Sequence, residues 1–207
     1  MKRLYLVRHG ETAWNSENRI QGSVDVPLSE KGLRQARALG DYLAEGAHGI
    51  DRIYTSDLSR SFETGRVVAR RLGLPEPHCS PLLRETHCGE WEGRRIDDLR
   101  EKEPGTYWNW IDHADVPCPG GESILQVRDR VARFFFEENG LNDAPTVLIV
   151  GHGLLNRMVL SVLLHIDAQT SRFFSQDNTA VNVFEWGRMK VYVKAWNVLP
   201  HLEGNSC

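Results

Sequence analysis

The chain has 207 residues, of which 41% are hydrophobic and 26% are charged, and its formal net charge is -3 at pH 7. These values are ordinary for a globular protein and argue against a disordered chain, a membrane-spanning chain and a surface built for nucleic acid or acidic lipid. We therefore expect one domain over residues 1–207, with a core large enough to fold without disulfides.

The first third of the chain is predicted to alternate strands and helices. The apolar run Leu4 to Val7 is typical of a strand covered on both faces of a parallel sheet, and Ile53-Tyr54 indicates a second one. Between them, residues 33, 36, 40 and 43 repeat at helical spacing after Ser29, a residue type that suits a helix N-cap. A second helix, with less regular spacing, is predicted after Asp57.

The stretch from residue 92 to residue 121 is different, because it is rich in charged residues, prolines and aromatic rings. We interpret it as an insertion over the site rather than as a second domain. Candidates for substrate contacts in this region and in the C-terminal tail are His87, Trp91, Tyr107, Trp108, Trp110 and His201. For the aromatic residues, packing of the insertion onto the sheet is at least as good an explanation. A histidine as close to the C-terminus as His201 is expected to be exposed.

The rest of the chain is predicted to add two helices, one buried strand and a hairpin. An amphipathic helix runs from Ser123 to about Gly140, and Leu154 to Leu164 is apolar enough to be a helix packed against the sheet. The predicted strands, of which the last two form a hairpin around Gly187, are Thr146 to Val150, Val181 to Trp186 and Met189 to Trp196. The whole pattern predicts an α/β fold: a three-layer α/β/α sandwich with a mostly parallel central sheet and helices on both faces.

Two histidines are predicted to meet at one edge of this sheet. His9 follows the first strand and His152 follows the strand at residues 146–150. Ligands bind at the carboxyl ends of the strands in such sheets, so both histidines are expected in one site. The alternative for His9 is a core histidine at a strand end, which its flanking residues Arg8, Gly10 and Glu11 disfavour.

The residues around these histidines suit the hydrolysis of a phosphate monoester. Without a metal, that reaction needs a nucleophile, fixed positive charge and an acid for the leaving alcohol. The neutral imidazole of His9 can attack phosphorus to form a phosphohistidine, which water then hydrolyses. Arg8 and Arg60 are candidate phosphate clamps because a guanidinium group matches phosphate oxygens bidentately. Taken alone, Arg60 is better explained as a surface helix residue, and its position after the second strand is what favours the clamp.

Three further residues complete the hypothetical site. Glu85 is the candidate general acid, which must hold a proton near neutral pH, as burial beside an anionic phosphate would favour. The alternative for Glu85 is an ion pair with Arg84. His152 would be a second donor to the phosphoryl oxygens, and Gly153 beside it would let the backbone approach the ligand closely.

A metal site is the competing use of two histidines with carboxylates nearby, since both residue types bind divalent ions. Two arginines in the same pocket would repel a cation, so we expect neither a metal nor a cofactor. The four cysteines, at positions 79, 88, 118 and 207, form no CxxC pair, and the run Leu4 to Val7 is too short for a secretory signal. We expect a cytoplasmic protein whose thiols are reduced and not catalytic.

Four sequence blocks together carry a resemblance to a known family. They are LVRHGETAWN at residues 6–15, YTSDLSRSFET at 54–64, LLRETHCGEWEG at 82–93 and VGHGLLNR at 150–157. In this order they resemble the histidine phosphatase superfamily, in its phosphoglycerate mutase-like branch, over nearly the whole chain.

The resemblance implies roles for particular residues. His9 matches the phosphorylated residue and Glu85 the proton donor, and the remaining matches to the phosphate pocket are Arg8, Arg60 and His152. Asn15 matches a position that contacts the phosphoryl group. Gln21 and Gly22 match the loop that lines the substrate entrance. The block PGGES at residues 119–123 matches the start of the helix after the insertion.

Members of this family are phosphatases or cofactor-dependent phosphoglycerate mutases, and the sequence favours a phosphatase. The mutases have a longer insertion and an arginine directly after the glutamate, where this chain has Thr86. A catalytically inactive relative that binds a phosphorylated ligand is a third hypothesis, which the intact site positions disfavour. The expected partner is a small phosphorylated metabolite, such as a phosphoglycerate, phosphoserine or a sugar phosphate, and neither nucleic acid nor membrane. The identity of that metabolite and the oligomeric state stay open.

Overall fold

A six-stranded sheet forms the centre of the described structure. The computed structural model describes residues 2–46, 48–137, 144–188 and 190–202. Its strands are β1 (Arg3–Arg8), β2 (Arg52–Thr55), β3 (His78–Cys79), β4 (Thr146–Gly151), β5 (Val181–Trp186) and β6 (Val191–Val198). They lie side by side in the order β3-β2-β4-β1-β5-β6.

The sheet is mostly parallel, as the apolar runs predict. β1 pairs in parallel with β4 over its whole length, from Arg3 opposite Thr146 to Arg8 opposite Gly151. β2 is parallel to β4 and to β3, whereas β5 is antiparallel to both β1 and β6. Because β1, β2 and β4 end at the same edge, the residues that follow them are brought together there.

Helices cover both faces of the sheet. They are α1 (Ala13–Ser16), α2 (Glu30–Glu45), α3 (Ser59–Leu72), α4 (Ile96–Lys102), α5 (Pro104–Asp112), α6 (Ile124–Phe136), α7 (Gly153–Leu164) and α8 (Ala168–Ser171). On one face, Leu39 of α2 and Val68 of α3 pack against Val7 and Val150 of the sheet. On the other face, α6 and α7 pack against alternate residues of the same strands, such as Leu6. The prediction of a three-layer α/β/α sandwich is therefore confirmed.

The helix boundaries agree closely with the signals in the sequence. Ser29 caps α2 by accepting a hydrogen bond from the backbone N–H of Gly32, and Ser123 forms a capping box at the start of α6. The described part of α6 ends at Phe136, and Gly140, near which the sequence predicts its end, lies outside the described residues. Met189, the predicted start of the last strand, and Cys207 also lie outside them.

The insertion contains α4 and α5 and builds a small core of its own. Trp91 is fully buried there and packs edge-to-face against Trp110 at 5.6 Å between ring centroids. Tyr107 is 5% exposed in the same cluster, whereas Trp108 is 47% exposed. Trp91 and Tyr107 are therefore packed, but within this cluster and not onto the sheet as expected. The assignment of residues 1–207 to one domain stays a prediction. None of the helices in the described parts of the chain is long and apolar enough to cross a membrane.

One expectation about the C-terminal tail is wrong. His201 is buried rather than exposed, because its Nε2 lies 2.9 Å from the hydroxyl oxygen of Thr179 and its ring packs against Tyr42. Burial lowers the pKa of His201 to about 4, so the ring is neutral at physiological pH. The tail is thereby attached to the loop that precedes β5.

Candidate active site

A cavity of about 410 Å³ opens at the carboxyl ends of β1, β2 and β4. Of the nine residues that the sequence nominates for the site, eight line this cavity: Arg8, His9, Asn15, Gln21, Gly22, Arg60, Glu85 and Gly153. The ninth, His152, lies beside it, with its ring centroid 5.1 Å from that of His9. The insertion contributes Ile96, Tyr107 and Trp110 to the wall, so it covers the site as predicted.

His9 is held in one orientation directly after β1. Its backbone N–H donates to the carbonyl oxygen of Gly151, and its Nδ1 lies 2.7 Å from the carbonyl oxygen of Gly10. A carbonyl oxygen only accepts, so Nδ1 carries the proton and Nε2 keeps its lone pair. Burial, together with the positive charges of Arg60 and Arg8, lowers the pKa of His9 well below its usual value. The side chain is therefore a neutral imidazole with Nε2 as its nucleophilic atom.

His152 is fixed by a partner that the sequence analysis does not name. Its Nε2 lies 2.8 Å from Ser56 Oγ, which already accepts a hydrogen bond from the backbone N–H of Leu58. No other acceptor for the Ser56 hydroxyl proton lies among the described residues, so we assign this proton to the hydrogen bond with Nε2, which leaves the ring proton on Nδ1. That Nδ1 is buried and has no partner among the described residues. Burial, with the charge of Arg60, lowers the pKa of His152 well below its usual value, so this neutral ring offers one N–H donor.

Two arginines, the buried Arg60 and the half-buried Arg8, supply the positive charge of the site. Arg60 is fully buried, and its two terminal nitrogens donate to the carbonyl oxygens of Val24 and Gly22, each at 2.7 Å. Arg8 donates through Nη1 to the carbonyl oxygen of Gln176 at 2.6 Å. Burial lowers the pKa of Arg60 to about 10 and also lowers that of Arg8, so both remain charged at neutral pH. Backbone carbonyls orient these groups without neutralising them.

Glu85 lies against the N-terminus of α7 and lines the same cavity as Arg8 and Arg60. Its Oε1 accepts from the backbone N–H groups of Thr86 and Leu155, and its Oε2 accepts from that of Leu154 at 3.1 Å. Oε2 therefore has fewer hydrogen bonds than Oε1. The alternative ion pair with Arg84 is wrong, because the Arg84 guanidinium binds Asp57 instead, at 2.7 Å from Nε to Oδ1.

The remaining predicted residues shape the rim and the floor of the cavity. Asn15 accepts hydrogen bonds through Oδ1 from Thr12, and its side chain also lies 3.3 Å from Asn178 Nδ2. Gly22 has a φ of 54°, which glycine adopts without strain, and its carbonyl holds Arg60. A Cβ on Gly153 would lie only 3.6 Å from Glu85 Oε2 and 3.8 Å from Arg8 Nε, so this position lies between Glu85 and Arg8.

Sequence reasoning missed several residues that organise the site. Ser56 belongs to the quoted block at residues 54–64, but nothing in the sequence signals its contact with His152. Asn178 donates to the carbonyl oxygen of His9 at 3.0 Å, and Gln176 and Arg157 line the cavity. These residues come from the end of α8 onward or from within α7, and only the folded sheet brings them next to His9. Within the described residues, no group of three or more His, Cys, Asp or Glu side chains is arranged to hold a metal ion.

Comparisons with known proteins identify similar sequences and similar folds. Residues 4–199 match the family model of the histidine phosphatase superfamily, branch 1. A probable phosphoglycerate mutase from Salmonella paratyphi B is 34% identical over 199 residues, which cover 96% of this chain and 91% of the relative. A mycobacterial glucosyl-3-phosphoglycerate phosphatase superposes with a TM-score of 0.87 at 28% identity, covering 96% of this chain and 100% of that one. A phosphoserine phosphatase from Entamoeba histolytica superposes with a TM-score of 0.84 at 27% identity, covering 98% and 100%.

Proposed function

The chain belongs to the histidine phosphatase superfamily, and we propose that it is a metal-independent phosphatase that hydrolyses small phosphomonoesters through a phosphohistidine on His9. The observation that carries the proposal is the state of the His9 ring. Its Nδ1 is hydrogen-bonded to the Gly10 carbonyl oxygen, and the neutral His9 side chain lines the same cavity as Arg8 and Arg60. A nucleophile without charge, surrounded by fixed positive charge, suits attack on a phosphate dianion.

In the first step, the lone pair of His9 Nε2 forms a bond to phosphorus while the bond from phosphorus to the leaving oxygen breaks. The leaving alkoxide takes a proton from Glu85, and its less hydrogen-bonded oxygen Oε2 is the atom that would carry this proton. The products of the step are a free alcohol, a phosphorylated His9 and a carboxylate at Glu85.

In the second step, water attacks the phosphorus atom and the bond from phosphorus to Nε2 breaks. Glu85 accepts the proton that the water loses, so the acid of the first step is the base of the second. His9 returns to the neutral ring, and inorganic phosphate leaves. No net proton is gained or lost by the protein over the cycle.

Charge on the transferred phosphoryl group is spread over its equatorial oxygens in the transition state. The proposal assigns their stabilisation to the guanidinium groups of Arg8 and Arg60 and to the unpartnered Nδ1–H of His152. Asn15, Gln21, Gly22 and Gly153 would bind the substrate around this centre. The arginine charges supply the electrostatic stabilisation that a divalent metal provides in other phosphatases, and they oppose the binding of a cation.

A cofactor-dependent phosphoglycerate mutase is the second candidate, and the identity to a probable mutase favours it. In that reaction the phosphohistidine would be attacked by a hydroxyl of a phosphoglycerate rather than by water. The residue after Glu85 bears on this choice, because Thr86 stands where the mutase pattern has an arginine for the substrate carboxylate. We therefore place the phosphatase first.

One experiment separates the two candidates. The purified protein, treated with a chelator, is incubated with a panel of phosphomonoesters and with 3-phosphoglycerate, with and without 2,3-bisphosphoglycerate. Free phosphate and isomer conversion are followed together, and a His9→Ala variant is the control. We expect the wild type to release phosphate and the His9→Ala variant to release none. Isomer conversion that requires the bisphosphate, without release of phosphate, would assign the chain to the mutases. A His9→Ala variant as active as the wild type would exclude the phosphohistidine.

A further inference from the structure

One arginine in the cavity wall has no role in the proposed reaction. Arg157 lies in the first turns of α7, four residues after Gly153, and both residues line the cavity. Four residues advance about 6 Å along a helix and return to the same face. Arg157 therefore lines the same cavity as Arg8 and Arg60, about one helical turn beyond Gly153 along α7.

No carboxylate of the described residues lies within ion-pair distance of the Arg157 guanidinium. It forms no ion pair with the described residues, and its hydrogen bond among them runs from Nε to the carbonyl oxygen of Phe174 at 2.6 Å. Nη1 and Nη2 donate to no described residue. Arg19, which also lines the cavity, differs, because its Nε is paired with Glu17 at 2.6 Å. Burial lowers the pKa of Arg157, an effect that Glu85 and Asp177 oppose.

A half-buried guanidinium whose terminal nitrogens have no partner among the described residues favours the binding of an anion. The terminal nitrogens of Arg157 are the atoms left for such an anion, and a guanidinium binds a planar carboxylate through two parallel hydrogen bonds. The charges of Arg8 and Arg60 are enough for a phosphate dianion. The single charge of Arg157 is then matched by one carboxylate better than by a second phosphate.

We propose that Arg157 binds a carboxylate that the substrate carries a few bonds away from the transferred phosphoryl group. This inference rests on the proposed phosphatase function and narrows its substrate class to phosphate esters of hydroxy acids. Arg157 is thus a specificity-determining residue, supplied by α7 rather than by the insertion. A carboxylate at this place matches the single positive charge of Arg157 and the short spacing between Gly153 and Arg157 along the helix.

The test uses two pairs of substrates that differ in the carboxylate. O-phosphoserine is compared with phosphoethanolamine, and 3-phosphoglycerate with glycerol 3-phosphate, in the wild type, Arg157→Gln and Arg157→Lys. The measured quantity is the ratio of kcat/KM within each pair. We expect the wild type to prefer the carboxylated member of at least one pair. Loss of a charged hydrogen-bonded pair lowers that ratio by about 10- to 100-fold in Arg157→Gln. Arg157→Lys, which keeps the charge, retains part of the preference.

The control variant is Arg172→Gln. Arg172 is also a partly buried arginine, and burial lowers its pKa to about 10, but its Nη1 donates to the carbonyl oxygens of Trp110 and Ile111 and it does not line the cavity. Its substitution is expected to leave the ratio unchanged. An equal loss for both members of each pair in Arg157→Gln would overturn the proposal, because that result indicates a structural role for Arg157. A wild type without preference in either pair would also overturn it.

A binding measurement separates this inference from the proposed function. In the His9→Ala background, calorimetry compares the binding of 3-phosphoglycerate with that of glycerol 3-phosphate, before and after Arg157→Gln is added. Tighter binding of the carboxylated ligand that depends on Arg157 supports the subsite even if the wild type hydrolyses no ester. Equal binding of the two ligands rejects the subsite even if the wild type hydrolyses p-nitrophenyl phosphate.

Discussion

Replacing Ser56 with alanine is expected to slow turnover without disrupting the fold. The Ser56 hydroxyl lies 2.8 Å from His152 Nε2 and is the group that keeps the ring proton on Nδ1. In Ser56→Ala, Nε2 has no partner, and the tautomer with the proton on Nε2 becomes competitive. That tautomer presents a lone pair instead of an N–H to the transferred phosphoryl group in the proposed reaction.

The size of the effect follows from the hydrogen bond that is lost. A neutral hydrogen bond contributes about 0.5–1.5 kcal/mol, and a buried polar group left without a partner costs about 1–3 kcal/mol. If the lost hydrogen bond shifts the tautomer equilibrium of His152 by about 1.4 kcal/mol, kcat falls about tenfold. Since Ser56 does not contact the cavity directly, KM should change much less than kcat.

The assay is steady-state hydrolysis of p-nitrophenyl phosphate, read together with thermal unfolding. Ser171→Ala is the matched control, because Ser171 is equally buried and donates to the carbonyl oxygen of Ala168 at 2.8 Å but bonds to neither Ser56 nor His152. Both variants should lose stability, and only Ser56→Ala should lose kcat. The reasoning is refuted if Ser56→Ala keeps kcat within twofold of the wild type, or if Ser171→Ala loses as much.

Three further predictions concern pH, charge and packing. Because burial and the charges of Arg60 and Arg8 lower the pKa of His9 well below 6.5, its ring stays neutral as pH falls. After normalisation for substrate ionisation, the acid limb of the kcat/KM profile should therefore lie below pH 6.5. An acid limb at or above pH 6.5 would contradict this prediction. Arg60→Ala should lower kcat/KM by about 10²- to 10³-fold and raise the Ki of vanadate; an unchanged Ki would place Arg60 outside the phosphate pocket. Gly32→Ala should destabilise the protein by about 1–3 kcal/mol in urea unfolding, because its Cβ would overlap the carbonyl oxygen of Glu11, and wild-type stability would reject this close packing.

The architecture could be predicted because its signals are local in the sequence. Continuous apolar runs mark β1 and β4, and Ser29 and Ser123 mark the starts of α2 and α6. The helices of the insertion are harder to predict, because neither α4 nor α5 has a side-chain cap. The two-residue strand β3 is exposed and carries no apolar pattern.

The candidate site could be predicted where its residues directly follow buried strands. His9 and His152 follow β1 and β4, and Arg60 is the second residue of α3, so the edge of the sheet explains why they meet. Ser56 and Arg157 could not be assigned roles in this way. Their contacts depend on side-chain orientations across two elements, and His201 is buried only because the tail reaches the loop at Thr179.

Direct detection of phosphohistidine tests the account most directly. The wild type is mixed rapidly with excess substrate and quenched in alkali, which preserves the phosphorus–nitrogen bond, and its peptides are analysed by mass spectrometry. We expect phosphate on His9 of the wild type within the turnover time and none in His9→Ala. With an aryl phosphate, whose leaving group needs no proton, a Glu85→Gln variant should accumulate more phosphate on His9 than the wild type. Turnover by the wild type without any phosphate on His9 would contradict the proposed mechanism.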